Sequence, residues 1–139
     1  MTDLLEQLLP LWTRPVDSRD DPVAAFRAVY ADPVVVNGTE LPILDLVGRA
    51  RALQHAFADL SMEILDTVEA PGRLVIAFLM RGRHVGPFSS PLGAVAPTQR
   101  AIAVRTIDVL VLREGLVSAI WVVSDDLGLL RQLDAATLT

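Results

Sequence analysis

The second half of the chain alternates long, apolar-rich segments with tight turns, and this pattern limits the possible folds most. Strands are predicted at Met62 to Val68, Arg73 to Val85, Arg100 to Arg113 and Leu116 to Ser124. The turn-forming pairs Pro71-Gly72 and Glu114-Gly115 make the strands that they join antiparallel neighbours. A loop from Gly86 to Gln99 separates the second strand from the third. This half of the chain therefore predicts an antiparallel meander.

Three helices are predicted before the strands. Asp3 and Glu6 form a helix-start signal, and we expect a break in this first helix at Pro10. Asp20-Asp21-Pro22 begins a second helix, which we expect to end near Tyr30. Asp45 is the predicted cap of the third helix, which has the clearest apolar side.

Shorter elements complete the pattern. Val34 to Val36 reads as a buried strand closed by an Asn37-Gly38 turn, and Leu127 to Leu133 as a terminal turn or short helix that Asp125 would cap. Helices followed by a strand meander predict an α+β domain whose curved antiparallel sheet wraps over the N-terminal helices. Such a sheet leaves an apolar pocket at its open end.

Both faces of the predicted sheet are apolar enough that each should pack against another part of the protein or against a second copy. The segment from Val104 to Leu112 is apolar on both parities apart from Arg105, Thr106 and Asp108, whereas a half-exposed strand alternates. Because the helices cover only the concave face, we expect the convex face to pack against a second copy. A homodimer is therefore predicted.

Composition limits the number of domains and the class of partner. The 139 residues, 52% of them hydrophobic, predict one domain over residues 1–139. No apolar run approaches the roughly 20 residues of a membrane span, and the start is acidic rather than signal-like, so a cytoplasmic protein is expected. The net charge of −5 argues against nucleic-acid binding. Because cysteine and lysine are both missing from the sequence, thiolate and Schiff-base chemistry are excluded.

Three segments occur in a recognisable order: Gly82-Arg-His-Val-Gly86, Thr98-Gln-Arg100, and Trp121-Val-Val-Ser-Asp-Asp-Leu-Gly-Leu-Leu-Arg-Gln-Leu133. This order resembles the SnoaL-like polyketide cyclases of the nuclear transport factor two-like superfamily, with their Gly-x-His-x-Gly, Thr-Gly-Arg and Trp-x-x-x-Asp-x-x-Gly-Leu-Leu-x-Gln-Leu-Gly patterns. The resemblance implies a cone-shaped fold of about three helices under the sheet, a hydrophobic small-molecule substrate and an oligomer. Gln99 and Asp134 replace glycines of the family pattern.

Two residues are candidate catalytic groups, and each has a structural alternative. Asp108 lies mid-strand, as either a pocket acid/base with a pKa raised by apolar surroundings or an ion-pair partner of Arg81, Arg83 or Arg105. His84 is either a hydrogen-bond donor or acid/base group near neutral pH, or a structural histidine that bonds the adjacent loop. The best-matched cyclases hold a pocket histidine at the position of Asp108.

The family alignment also places Val122 where the aldol-type cyclases have a catalytic aspartate. Valine cannot transfer a proton, so an aldol route through this position is not expected. The predicted substrate-binding residues are Trp12, Tyr30, Asn37, Phe57, Met62, Phe78, Met80, Trp121 and Val122, although large apolar side chains at such spacings also serve as core. No cofactor or metal is expected, because no spacing of histidines and carboxylates matches a known ligand set.

Three functional classes fit these observations. The first is a cyclase that holds a reactive conformer of a hydrophobic, polyketide-like intermediate in an apolar pocket, with a pericyclic closure favoured over an aldol one. The second is an isomerase or hydrolase that uses Asp108 as its acid/base group. The third is a non-catalytic module for binding or dimerisation.

Overall fold

A curved, six-stranded sheet wraps over the helices in the computed structural model, which describes residues 2–136, and this confirms the α+β class. The helices are α1 (Thr2–Thr13), α2 (Pro22–Arg27), α3 (Ile43–Ala56) and α4 (Asp126–Gln132), with a 3-10 turn at Val16–Ser18. The strands are β1 (Tyr30–Val36), β2 (Thr39–Leu41), β3 (Phe57–Ala70), β4 (Arg73–His84), β5 (Phe88–Ser90), β6 (Gly93–Val95), β7 (Ala101–Arg113) and β8 (Leu116–Ser124). Residues 1 and 137–139 of the predicted domain lie outside the described residues.

The main sheet has the strand order β2-β1-β8-β7-β4-β3. Its neighbours are antiparallel except β1 and β8, which pair in parallel, so the sheet is not wholly antiparallel as predicted. The two strands of this pair are far apart in the sequence, and the intervening chain is long enough for the crossover that a parallel pair needs. No helix within residues 2–136 is long and apolar enough to cross a membrane.

The predicted break at Pro10 is wrong, because α1 continues through it to Thr13. Proline costs this helix one backbone hydrogen bond. The end of the helix is held from outside, since the side-chain amide of Gln54 on α3 donates to the carbonyls of Trp12 at 3.0 Å and Arg14 at 2.8 Å. A tertiary contact therefore satisfies carbonyls that a helix end leaves free.

The starts of α2 and α3 are capped in different ways. Asp21 caps α2 as predicted, accepting the Ala24 N–H at 3.0 Å, but the helix ends at Arg27 rather than near Tyr30. The predicted cap at Asp45 is wrong, because α3 already begins at Ile43. Asp32, from β1, accepts the Ile43 N–H at 3.1 Å and fills that role from another element.

The C-terminal helix α4 covers an edge of β7 that β8 does not reach. Asp125 accepts the Gly128 N–H at 2.9 Å, so the predicted cap is confirmed. The amide of Gln132 accepts the Ala103 N–H at 2.7 Å and donates to the Ala103 carbonyl at 2.8 Å, as a neighbouring strand would. This pairing explains why a glutamine suits the Gly-Leu-Leu-x-Gln-Leu segment.

Part of the convex face of the sheet is apolar, where two rows of side chains cross β4, β7 and β8 and one of them continues to Val68 on β3; Asp66, Glu63 and Arg105 lie on the same face beside it. We call this set the convex patch: Val68, Val75, Ala77, Ile107, Val109, Trp121 and Val123. Trp121 is 56% and Val123 67% exposed, whereas the concave side buries side chains such as Phe26 and Leu110 completely. The predicted apolar outer face is thus present, while the second copy that would cover it stays a prediction.

Candidate functional site

A cavity of about 410 Å³ lies between the helices and the concave face of the sheet. Its lining is mostly aliphatic and aromatic, and its size falls within the range of small-molecule sites. Seven of the predicted substrate-binding residues line it, namely Trp12, Tyr30, Phe57, Met62, Phe78, Met80 and Val122. The structure therefore brings most of that set together around one space, although contact with a substrate stays a prediction.

Asp108 is at the centre of a row of side chains that crosses the cavity wall. It pairs with Ile76 on β4 and with Val122 on β8, so an aliphatic side chain flanks it on each side. Burial in these surroundings raises the pKa of Asp108 to about 7, because the charged form loses hydration. Its Oδ1 is buried and has no hydrogen-bond partner within residues 2–136.

The predicted ion-pair alternative for Asp108 is wrong. None of the ion pairs formed among residues 2–136 includes it. Arg81, Arg83 and Arg105 are all exposed, whereas Asp108 lines the cavity. The carboxyl group thus has no cationic partner among residues 2–136, and Val122 on β8 lies directly across from it.

Tyr30 brings a second polar group to this apolar space. Its side chain is 2% exposed, and its ring stacks on Phe26 with a centroid separation of 6.0 Å. The indole N–H of Trp12 donates to the Tyr30 hydroxyl oxygen at 2.8 Å. Burial raises the pKa of Tyr30, the bond from Trp12 opposes this rise, and the charge of Asp108 adds to it.

Four further polar residues in the lining were missed by the sequence analysis. Thr106 and Ser124 face each other in the next row, with their hydroxyl oxygens 3.0 Å apart. Arg49 on α3 and Asp126 on α4 are exposed, so they lie at the opening of the cavity. The shared parity of Thr106 and Asp108 was a usable signal, but nothing local to the sequence placed Arg49 or Asp126 there.

His84 lies outside the cavity lining and is fully buried beside the loop that follows β4. Its Nδ1 accepts the Thr98 N–H at 3.1 Å and is 3.0 Å from the Thr98 hydroxyl, so the neutral ring carries its proton on Nε2. Nε2 has no partner among the described residues. This geometry favours the structural alternative, in which His84 fastens the returning end of the loop.

The glycines around His84 allow close packing. A Cβ on Gly86 would collide with the His55 carbonyl oxygen, and one on Gly82 would lie 3.1 Å from the Ala58 carbonyl oxygen. The loop itself contains a hairpin of β5 and β6 that the sequence analysis did not predict. Phe88, at the start of this hairpin, packs on Phe57 with ring centroids 5.4 Å apart and lines the cavity. The close packing around the Gly-x-His-x-Gly segment therefore helps to position Phe88 in the wall of the cavity.

Two predicted substrate-binding residues lie away from the cavity. Trp121 belongs to the exposed convex patch, so its predicted position in the pocket is wrong. Asn37 is exposed, and its amide accepts the Val122 N–H at 2.8 Å and donates to the Val122 carbonyl at 3.2 Å. It extends the pairing of β1 with β8 and does not contact the cavity. Within residues 2–136 no three histidine or acidic side chains converge as a metal site would need.

Comparison with known proteins gives consistent results. A family model described as SnoaL-like polyketide cyclase matches residues 16–133. The structure of TsrD from Streptomyces laurentii superposes with a TM-score of 0.82 at 26% identity, covering 97% of this chain and 95% of that one. Wild-type IdmH from Streptomyces antibioticus superposes with a TM-score of 0.75 at 21% identity, covering 96% of this chain and 97% of that one. A SnoaL-like protein from Jannaschia sp. CCS1 superposes with a TM-score of 0.75 at 19% identity, covering 98% of this chain and 94% of that one. A search of curated proteins finds no match.

Proposed function

Because the chain belongs to the SnoaL-like polyketide cyclase family, we propose that it closes a ring in a hydrophobic, polyketide-like biosynthetic intermediate. The observation that supports this most is the cavity of about 410 Å³, whose wall is apolar except for a few polar groups. An apolar chain that is longer than this cavity must fold back on itself to fit inside it. Bringing two reacting parts of one molecule together in this way removes much of the entropic barrier to ring closure.

The favoured reaction is an intramolecular cycloaddition. A conjugated diene and an alkene of one molecule would react so that three π bonds become two σ bonds and one π bond. No atom is gained or lost, and no proton moves. Val122 at the position of the family's catalytic aspartate is compatible with this route, because the closure needs no base.

Asp108 supports a second candidate, an isomerase or hydrolase in which it acts as base. Its carboxyl is unpaired, and burial raises its pKa to about 7. A base acts when ionised, so the rate of this reaction would rise as the pH passes upward through that value. A cycloaddition that uses the neutral acid only as a hydrogen-bond donor would instead slow over the same interval.

Metabolite profiling of the producing organism with and without this gene tests the proposed cyclisation. We expect an uncyclised compound to accumulate with the same mass as the lost product, and purified protein to convert it. A compound heavier by one water would indicate a dehydrating, aldol-type step instead. An unchanged metabolite profile would contradict the cyclase proposal for that host and growth condition and would favour a non-catalytic binding module.

The convex patch supports a homodimer as the assembled form of this protein. Trp121 lies at the β8 end of this patch and is 56% exposed. A Trp121→Arg substitution places a charge where the apolar faces would meet, so we expect it to weaken self-association by at least about tenfold. Sedimentation equilibrium of the wild type and of this variant measures the change. Arg113→Ala, at the end of β7, is the control, and a wild-type protein that sediments as a monomer contradicts the proposal.

A further inference from the structure

The hydrogen bond from Trp12 limits the directions in which the hydroxyl hydrogen of Tyr30 can point. An indole N–H can only donate, so the bond from Trp12 makes the Tyr30 oxygen an acceptor on that side. The hydroxyl hydrogen must therefore point elsewhere, and it is donated to no other group within residues 2–136. Tyr30 lines the cavity, so this unused donor is at an apolar wall where a polar ligand atom could reach it.

Asp108 lines the same cavity and is also unused. Its Oδ1 is buried without a partner, and no hydrogen bond joins it to Tyr30 in the part of the chain that the structure describes. The other charged groups that line the cavity are Arg49 from α3 and Asp126 from α4, and both are exposed. With Ile76 and Val122 on either side, Asp108 is in surroundings that favour a neutral acid, which has one O–H to donate.

We propose that Tyr30 and Asp108 form a two-donor site for a carbonyl oxygen of the substrate, and that this carbonyl is conjugated with the alkene that reacts. Trp12 is the positioning residue, because its N–H orients the Tyr30 hydroxyl. The inference rests on the proposed cyclisation and names the chemistry of its substrate, an α,β-unsaturated ketone or ester.

The chemistry of such a site suits a cycloaddition. Hydrogen bonds to a conjugated carbonyl oxygen withdraw electron density from the alkene, which makes it a better acceptor for the electrons of the diene. Donors that are already in place in a site without water contribute more than the same donors in water, because nothing has to reorganise during the reaction. An unpaired carboxyl group in an apolar wall is otherwise a cost to the fold, which a ligand carbonyl would offset.

A pair of ligands of almost equal shape tests this site. 2-Acetylnaphthalene has a conjugated carbonyl, and 2-isopropenylnaphthalene replaces its oxygen with a CH₂ group. Relative to the alkene, the ketone should bind about tenfold more weakly to Tyr30→Phe than to the wild type. The same tenfold loss is expected in Asp108→Leu, because each variant removes one hydrogen bond to the carbonyl oxygen. The carbonyl stretching frequency of bound, isotope-labelled ketone should rise in both variants and, by a smaller amount, in Trp12→Phe.

Thr13→Val is the matched control, because it removes a hydroxyl that is bonded within α1, beside Trp12 but outside the cavity lining. We expect this variant to keep the wild-type ratio and frequency. If Tyr30→Phe and Asp108→Leu bind both ligands with the wild-type ratio, the two-donor site is wrong and the apolar cavity stands. If the wild-type protein binds neither ligand, the cavity proposal is overturned together with the donor site.

Discussion

The Asp108→Asn variant is expected to be as stable as the wild type near pH 3, and more stable than the wild type by about 4 kcal/mol near pH 8. The reason is that the pKa of Asp108 is about 7 in the folded protein, against 3.8 for the ordinary side chain. Between these values the folded chain holds a proton that the unfolded chain has released. Wild-type stability should therefore fall as the pH rises from about 4 to about 7.

Asparagine has nearly the same shape but cannot ionise, so the variant lacks this dependence. Urea denaturation of both proteins across the pH range measures the difference in the free energy of unfolding. Asp126→Asn is the matched control at the opening of the same cavity, and because Asp126 is exposed it should change stability by less than about 1 kcal/mol. Parallel pH curves for the wild type and Asp108→Asn would mean that Asp108 is hydrated in the folded state.

A Val122→Phe substitution is expected to lower ring closure by about 100-fold or more while leaving the protein folded. Val122 lines the cavity and lies across from Asp108, so a phenyl ring there occupies the space where the substrate would fold. Small displacements of a reacting group can cost two orders of magnitude in rate. Turnover of the accumulated precursor by purified variants, with thermal unfolding recorded alongside, measures this effect.

Val123→Phe is the matched control for this substitution. It makes the same change one residue along β8, on a side chain that is 67% exposed on the convex patch. We expect it to keep wild-type turnover. If the two variants lose activity equally, the reaction does not take place in this cavity. If neither loses activity, the substrate does not reach the row that contains Asp108.

The paired faces of β8 show what sequence reasoning can and cannot achieve. The Glu114-Gly115 turn and the bounds Leu116–Ser124 were predicted correctly, and simple pairing outward from Arg113 and Leu116 would put Trp121 opposite Asp108. The register shifts by one residue near Ser118, so Val122 takes that place and Trp121 turns outward. A shift of one residue exchanges the two faces of a strand. Such a bulge has no clear sequence signal here, because β8 is apolar on both parities.

His84 shows the same limit for a motif. Its flanking glycines and its place in a family pattern made it a candidate for chemistry, yet whether a side chain faces a cavity depends on its neighbours from other elements. The N–H of Thr98, fourteen residues later, binds its ring. The cap at Asp125, by contrast, was predictable because the bond spans only three residues.

The sequence by itself determined the fold class, the bounds of β4, β7 and β8 to within one residue, the caps at Asp21 and Asp125, and the presence of an acidic residue on an apolar strand, since these follow from periodicity and from contacts within a few residues. Only the tertiary structure decided which side chains share the cavity. Asp108 has its raised pKa because Ile76 and Val122 flank it from two other strands, and Tyr30 has an oriented hydroxyl because α1 brings Trp12 to it. Solvation and hydrogen bonding depend on everything within a few ångströms of an atom, and in a sheet of long strands those neighbours come from distant parts of the chain.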